Sequence, residues 1–171
     1  MKTIDNDIKR QEFKKVYLLY GEERYLIKQY RDKLKKALIS PDDTMNYSSF
    51  EGEDLNVKEI IDLAETLPFF ADKRVILVEG SKLFKKGGDE LGEYLADLPE
   101  TTYFIFVEEE VDKRSKLFKA VGKCGNAIEF GEWVAAMDSY IGIEGLQEDT
   151  YIGKSGDPYT FTVRKFIGEY M

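Results

Sequence analysis

Apolar residues fall along this chain in two alternating rhythms, short unbroken runs and stretches spaced every three or four residues, and the alternation repeats from residue 16 to residue 130. Val16 to Tyr20, VYLLY, is a continuous apolar run ended by Gly21; continuity in place of alternation predicts a central strand covered on both faces. Glu22 and Glu23 then open a helix whose positive dipole end they favour. Leu26, Tyr30, Leu34, Ala37 and Leu38 follow at helical spacing, with a stop near Ile39, before Pro41. Met45 to Phe50 alternates as a less buried strand toward a sheet edge and is broken by Gly52. Asn56 with Glu59 three residues on resembles a capping box, and Val57, Ile60, Ile61, Ala64 and Leu67 trace the apolar stripe of the helix it starts.

Arg74 to Glu79 supplies a third strand, and SKLFKKGGDE at 81–90 reads as a loop broken by Gly87 and Gly88. A short helix over Asp89 to Leu98, a strand at Thr102 to Val107, a helix from Ser115 to Cys124 and a strand at Ala127 to Phe130 complete five β-α repeats. Ahead of them, Ile4, Ile8 and Phe13 anchor a short amphipathic helix. Strands and helices alternating in this way predict an α/β fold, a doubly wound, five-stranded, mainly parallel sheet with helices on both faces. In such sheets function gathers at the carboxyl ends of the strands, here the loops beginning at Gly21, Gly52, Glu79 and Glu108.

Composition removes whole classes of chemistry. With 25 basic against 33 acidic residues the formal net charge is −8, which opposes a general attraction to nucleic-acid backbones. One cysteine, Cys124, and no histidine exclude disulfide frameworks, zinc fingers and histidine-dependent triads or metal sites. Cys124 is expected to be a small buried or half-buried side chain. The start, MKTIDNDIKRQEFKK, has no apolar signal core, and no window approaches the roughly 18 apolar residues of a membrane helix, so the cytoplasm is the expected compartment. Lys9, Arg10, Lys14 and Lys15 read as a solvated helix face.

The loop after the first strand is where a P-loop would sit. Gly21 is followed at the last three motif positions by Leu26, Ile27 and Lys28, so the second glycine and the lysine are missing, and Glu22 and Glu23 would repel a polyphosphate. A phosphoacceptor receiver domain also has five β-α units, but strand three ends in Glu79, strand four in Glu108, Glu109 and Glu110, and strand five lacks a lysine. Those four acids read as a solvated rim in preference to a cation site. Asp112, Lys113 and Arg114 fit an ion-pair hinge, a phosphate contact, or a helix start at Asp112 with solvated bases.

The organising stretch is Thr66 to Glu79, TLPFFADKRVILVE. Leu67, Pro68, Phe69 and Phe70 stand where proline must stop the preceding helix, so two adjacent rings sit at a helix-to-strand corner. Composition alone favours tucking them into the core over offering them to a partner.

LYGEERYLIKQY at 19–30, LPFFADKRVILVEG at 67–80 and VDKRSKLFKAV at 111–121, in this order and spacing, resemble the amino-terminal domain of the bacterial DNA polymerase III delta subunit over about residues 14–130. The resemblance implies an AAA+-like, P-loop NTPase-type first domain without a working nucleotide site, belonging to a clamp loader in DNA replication. It implies no catalytic residues and no cofactor or metal of its own, although the holoenzyme it serves is a DNA-directed DNA polymerase, a nucleotidyltransferase. It implies binding and opening of the sliding clamp (the beta subunit) by a hydrophobic pair at the tip after the second main helix, the position of Phe69 and Phe70, with Leu67 and Pro68 alongside. Other loader subunits would be partners, and DNA contact indirect. The rival readings are a receiver-like signalling domain and a degenerate P-loop NTPase fold with another protein partner.

Two segments follow from this reading, a clamp-binding domain over 1–130 and an acidic, glycine-rich tail over 131–171. The tail carries half of the net negative charge and does not match the helical second domain or the collar domain of the family. Trp133 and Val134 suit the start of a helix, and Tyr159 to Val163 alternates like a strand.

Overall fold

The computed structural model describes residues 2–131. The readings of Trp133, Val134 and Tyr159 to Val163 lie outside the described residues. Apolar runs and apolar stripes become strands and helices in the expected order: α1 (Lys2–Arg10), β1 (Val16–Gly21), α2 (Arg24–Leu38), β2 (Tyr47–Glu51), α3 (Val57–Ala64), β3 (Arg74–Glu79), α4 (Asp89–Tyr94) with a following 3-10 turn (Leu95–Asp97), β4 (Thr102–Glu108), α5 (Lys116–Cys124) and β5 (Gly125–Phe130).

The sheet order is β2-β3-β4-β1-β5, and every neighbouring pair is parallel. Val16 lies opposite both Phe104 and Gly125, Arg74 opposite Thr102, and Tyr47 opposite Val75. Period-two geometry explains why β1 and β3 needed unbroken apolar runs, since successive residues feed different layers. Val16, Leu18, Ile76, Val78, Phe104 and Phe106 pack with Ile60 and Ala64 of α3, Leu91 of α4, and Leu117 and Val121 of α5. Tyr17, Leu19, Val75, Leu77 and Ile105 pack instead with Ile4 of α1 and with Ile27, Tyr30, Leu34 and Leu38 of α2. The sheet is therefore covered on both faces, and the strands are joined by the doubly wound connections expected of an AAA+-like α/β fold. Among the described residues no helix is long and apolar enough to cross a membrane.

Several boundaries differ from the sequence reading, each for a local reason. Glu22 and Glu23 precede α2 instead of opening it, and the Glu23 cap makes no side-chain bond. Ile27, not Leu26, is the first buried residue of that helix. The 81–90 loop is an anchored plug: Leu83 and Phe84 are buried, and the Phe84 ring meets Phe106 edge-on at 5.2 Å. Asn56 accepts from the Lys58 and Glu59 amides at 3.1 and 3.4 Å, the acceptor half of the box read there. The helix after β4 is capped by Ser115, whose Oγ accepts from the Phe118 amide at 3.1 Å, so Asp112 does not start it.

Candidate docking surface

Helix α3 ends because its last turn closes on itself. The Glu65 amide donates to Ile61 O at 3.0 Å, the Thr66 amide to Leu63 O at 3.1 Å, and Thr66 Oγ1 to Asp62 O at 3.2 Å. Leu67 therefore falls outside the helix whose stripe it was expected to extend, and it is 74% exposed. Pro68 is half-buried, while Phe69 and Phe70 are 56% and 94% exposed. The two rings meet edge-on with centroids 4.5 Å apart. The core placement favoured by composition is overturned: the layers beneath are already filled from α3, and the corner turns outward.

Its backbone is nonetheless held firmly. Buried Arg74, the first residue of β3, donates from Nε to Thr66 O at 2.8 Å and from Nη2 to Leu67 O at 3.2 Å. Asn46 Nδ2 donates to Phe69 O at 2.8 Å, and Asn46 Oδ1 accepts from the Phe69 amide at 2.5 Å. Phe70 has φ +50°, a left-handed conformation uncommon for a bulky side chain. The corner thus presents apolar side chains from a fixed main chain. Sequence reasoning singled out the four corner residues but missed Asn46 and Arg74; a lone asparagine and a strand-initial arginine carry no periodic signal.

The corner adjoins the amino end of β3, opposite to the carboxyl ends where function was expected to gather. At that other end, a cleft of about 250 Å³ lies among Gly21, Ile27, Lys28, Arg31, Glu79 and Glu108. Charged side chains line it and bond to one another or to neighbours beside it. Arg31 Nη1 stands 2.6 Å from Glu79 Oε1 and Nη2 2.8 Å from Asp32 Oδ1, while Arg24 Nη2 reaches Glu109 Oε1 at 2.7 Å. Gly21 has φ +129°, and a Cβ there would lie 2.3 Å from Phe130 O, so this glycine serves the close passage of β5.

Of the four acids, Glu109 and Glu110 are exposed as a solvated rim would be, whereas Glu79 is half-buried and Glu108 is not part of such a rim. Glu108 is buried and accepts from the Ser81 amide at 3.0 Å, the Lys82 amide at 3.2 Å and the Ser81 hydroxyl. Burial raises its carboxyl above the ordinary value, against the lowering effect of those donors. Glu79 and Glu109 pair with arginines as above, and Glu110 pairs with Lys85, which holds its carboxyl low. In the DKR triplet, Asp112 accepts from the Arg114 amide and Nε at 2.9 and 3.1 Å, and Lys113 pairs with Glu129 at 3.1 Å. In the basic cluster Lys15 is not simply solvated, since its Nζ donates to Pro99 O at 3.0 Å and also to Glu100 O. Cys124 is half-buried with Sγ 3.2 Å from Ala120 O, and burial pushes its thiol up.

A family model described as DNA polymerase III, delta subunit, matches residues 17–130. The DNA polymerase III subunit delta of Bacillus subtilis (strain 168) is 29% identical over 128 residues, which cover 68% of this chain and 37% of that protein. The solved Bacillus subtilis DNA clamp loader delta protein matches with a TM-score of 0.73 at 25% identity, over 82% of this chain and 45% of that one. A Thermotoga maritima DNA polymerase III gamma subunit-related protein matches in fold alone, with a TM-score of 0.54 at 13% identity, over 96% of this chain and 60% of that one. The chain spans less than half the length of the two delta proteins.

Proposed function

The chain belongs to the DNA polymerase III delta-subunit family, whose model it matches over residues 17–130, and we propose that residues 1–130 form a clamp-binding domain that inserts Phe69 and Phe70, with Leu67 and Pro68 beside them, into the sliding clamp during DNA replication. The observation that carries this reading is the exposure of two adjacent phenyl rings on a main chain fixed by Asn46 and Arg74. Large exposed apolar groups on a well-packed domain mark an interaction surface. Each ring entering an apolar pocket would contribute about 1.5–3 kcal/mol, enough for a hot spot though not a whole interface.

The mechanism is a wrench. The domain holds one clamp subunit and favours a clamp conformation whose subunit interface is weakened. A ligand shifts the closed-to-open equilibrium only by its differential affinity for the two states, so the rings must fit the open clamp better than the closed one. No bond is made or broken by this chain in that step. ATP would act on loader subunits that keep complete P-loops, consistent with a carboxyl-end cleft that here is crossed by Arg31–Glu79 and flanked by Arg24–Glu109. The reading assigns the chain to the cytoplasm, with the clamp and the other loader subunits as partners and the segment 131–171 as a separate acidic tail.

The test is isothermal titration of the full chain with a bacterial sliding clamp, repeated with Phe69→Ala and Phe70→Ala together and with folding followed by circular dichroism. The expected result is a loss of at least about 100-fold in affinity from a variant that keeps its secondary structure. An unmodified chain that does not bind a cognate clamp would overturn the reading.

A further inference from the structure

The aromatic tip is joined to a second segment, the turn before β2. Asn46 is 1% exposed, and its carboxamide makes to Phe69 the two bonds that a neighbouring strand would make through its own peptide groups. The same Nδ2 donates to Asp43 Oδ2 at 2.8 Å, and Asp43 Oδ1 accepts from the Met45 and Asn46 amides at 3.1 and 3.0 Å. These donors, the Asn46 side chain foremost, hold the Asp43 carboxyl below its ordinary value. Asn46 O accepts from the Val75 amide at 2.9 Å, which ties the turn to β3 as well.

Within this turn Met45 points its side chain outward at 64% exposure. The exposed large apolar side chains among the described residues are Tyr25, Met45, Leu67, Phe69 and Phe70. Four of these lie on the two segments that Asn46 joins; Tyr25 lies in the first turn of α2, at the other end of the sheet. A flexible thioether on a turn bonded to the segment that carries two rigid rings suits an apolar pocket of irregular shape.

We propose that the docking surface is bipartite: the Asp43–Asn46 turn supplies Met45 as a further contact to the clamp and Asn46 as the residue that positions the aromatic tip. The proposal deepens the clamp-binding reading and rests on it. Met45 adds exposed apolar area on the turn that Asn46 bonds to the ring segment. Asn46 touches no partner; it removes the freedom of the Phe69 peptide that binding would otherwise have to freeze.

The experiment pairs clamp titration with amide hydrogen exchange, both on the full chain. Met45→Ala should weaken clamp binding about 3- to 10-fold with an unchanged melting temperature, because the side chain is exposed. Asn46→Ala should accelerate exchange of the Phe69 amide while Ile76 and Leu77 in β3 stay protected. It should weaken binding in the unmodified background and weaken it much less when Phe70→Ala is already present, since Asn46 acts through the tip. Intact binding by Met45→Ala, or equal losses from Asn46→Ala in both backgrounds, would sink this proposal alone. No binding by the unmodified chain would sink it together with the clamp reading. If Asn46→Ala does not fold, the Met45→Ala comparison still decides.

Discussion

Phe70 shows how much of the site is invisible at the level of residue identity. Its φ of +50° is a conformation in which L side chains are strained by roughly 1–2 kcal/mol. It is also the most exposed of the large apolar residues among those described, so no burial offsets the strain. Glycine would relieve it at a cost of about 0.5–1 kcal/mol in unfolded-chain entropy. Phe70→Gly is therefore expected to leave stability in urea unchanged or raise it by up to about 1 kcal/mol, while clamp affinity falls by roughly tenfold or more. Loss of both together would mean that the ring supports the fold. The Phe69–Phe70 pair beside Pro68 was legible in sequence, because a proline that follows an apolar helical stripe marks the stop of that helix. The direction in which the rings point was not. It depends on Asn46, 23 residues away, and on the tight last turn of α3, which a Leu67 at helical spacing gave no hint of.

At the scale of elements, apolar runs and stripes predicted the order of strands and helices because each element needs one buried face and the two periods differ. Ends were less legible, since they depend on which capping group wins locally: Ser115 won over Asp112, and the acids at 22 and 23 stayed outside α2. Gly21 is a case where the right residue carries another meaning. Its position fits a P-loop glycine, yet its conformation serves the β1–β5 pair, with Phe130 O where a Cβ would stand. Gly21→Ala should destabilise the domain by at least about 2 kcal/mol through backbone strain and overpacking together. Gly80→Ala, also at positive φ but with open space around its would-be Cβ, should cost only the backbone part, about 1 kcal/mol. Urea unfolding of the two variants checks the difference, and equal losses would show that the contact with Phe130 is relieved by movement of β5.

Over the whole described molecule the two ends of the sheet have opposite character. Paired charges line the carboxyl end, and exposed apolar side chains extend from the amino end of β3. The aromatic tip lies at the end opposite to the one where such sheets hold ligands on backbone amides, so the role proposed for it rests on apolar contact. The absence of histidine also shapes the global pH response, because no side chain titrates near neutrality by default. Four phenols are among the raised groups: burial is the leading cause for Tyr17, Tyr20, Tyr94 and Tyr103, with Asp7 and Glu65 adding to it at Tyr17 and Tyr94. A phenol raised in the folded state stays protonated while the unfolded chain ionises near pH 10. Its stabilising contribution is therefore complete below about pH 10 and is lost as pH rises above that value. The melting temperature should accordingly change little between about pH 6 and 8.5 and fall steeply above about pH 10. Tyr17 is fully buried with its hydroxyl donating to Asp7 Oδ2 at 2.6 Å, so Tyr17→Phe should flatten the alkaline fall while lowering stability at neutral pH by about 1 kcal/mol. An alkaline slope identical in Tyr17→Phe would mean that the exposed lysine pairs, not the buried phenol, govern unfolding there.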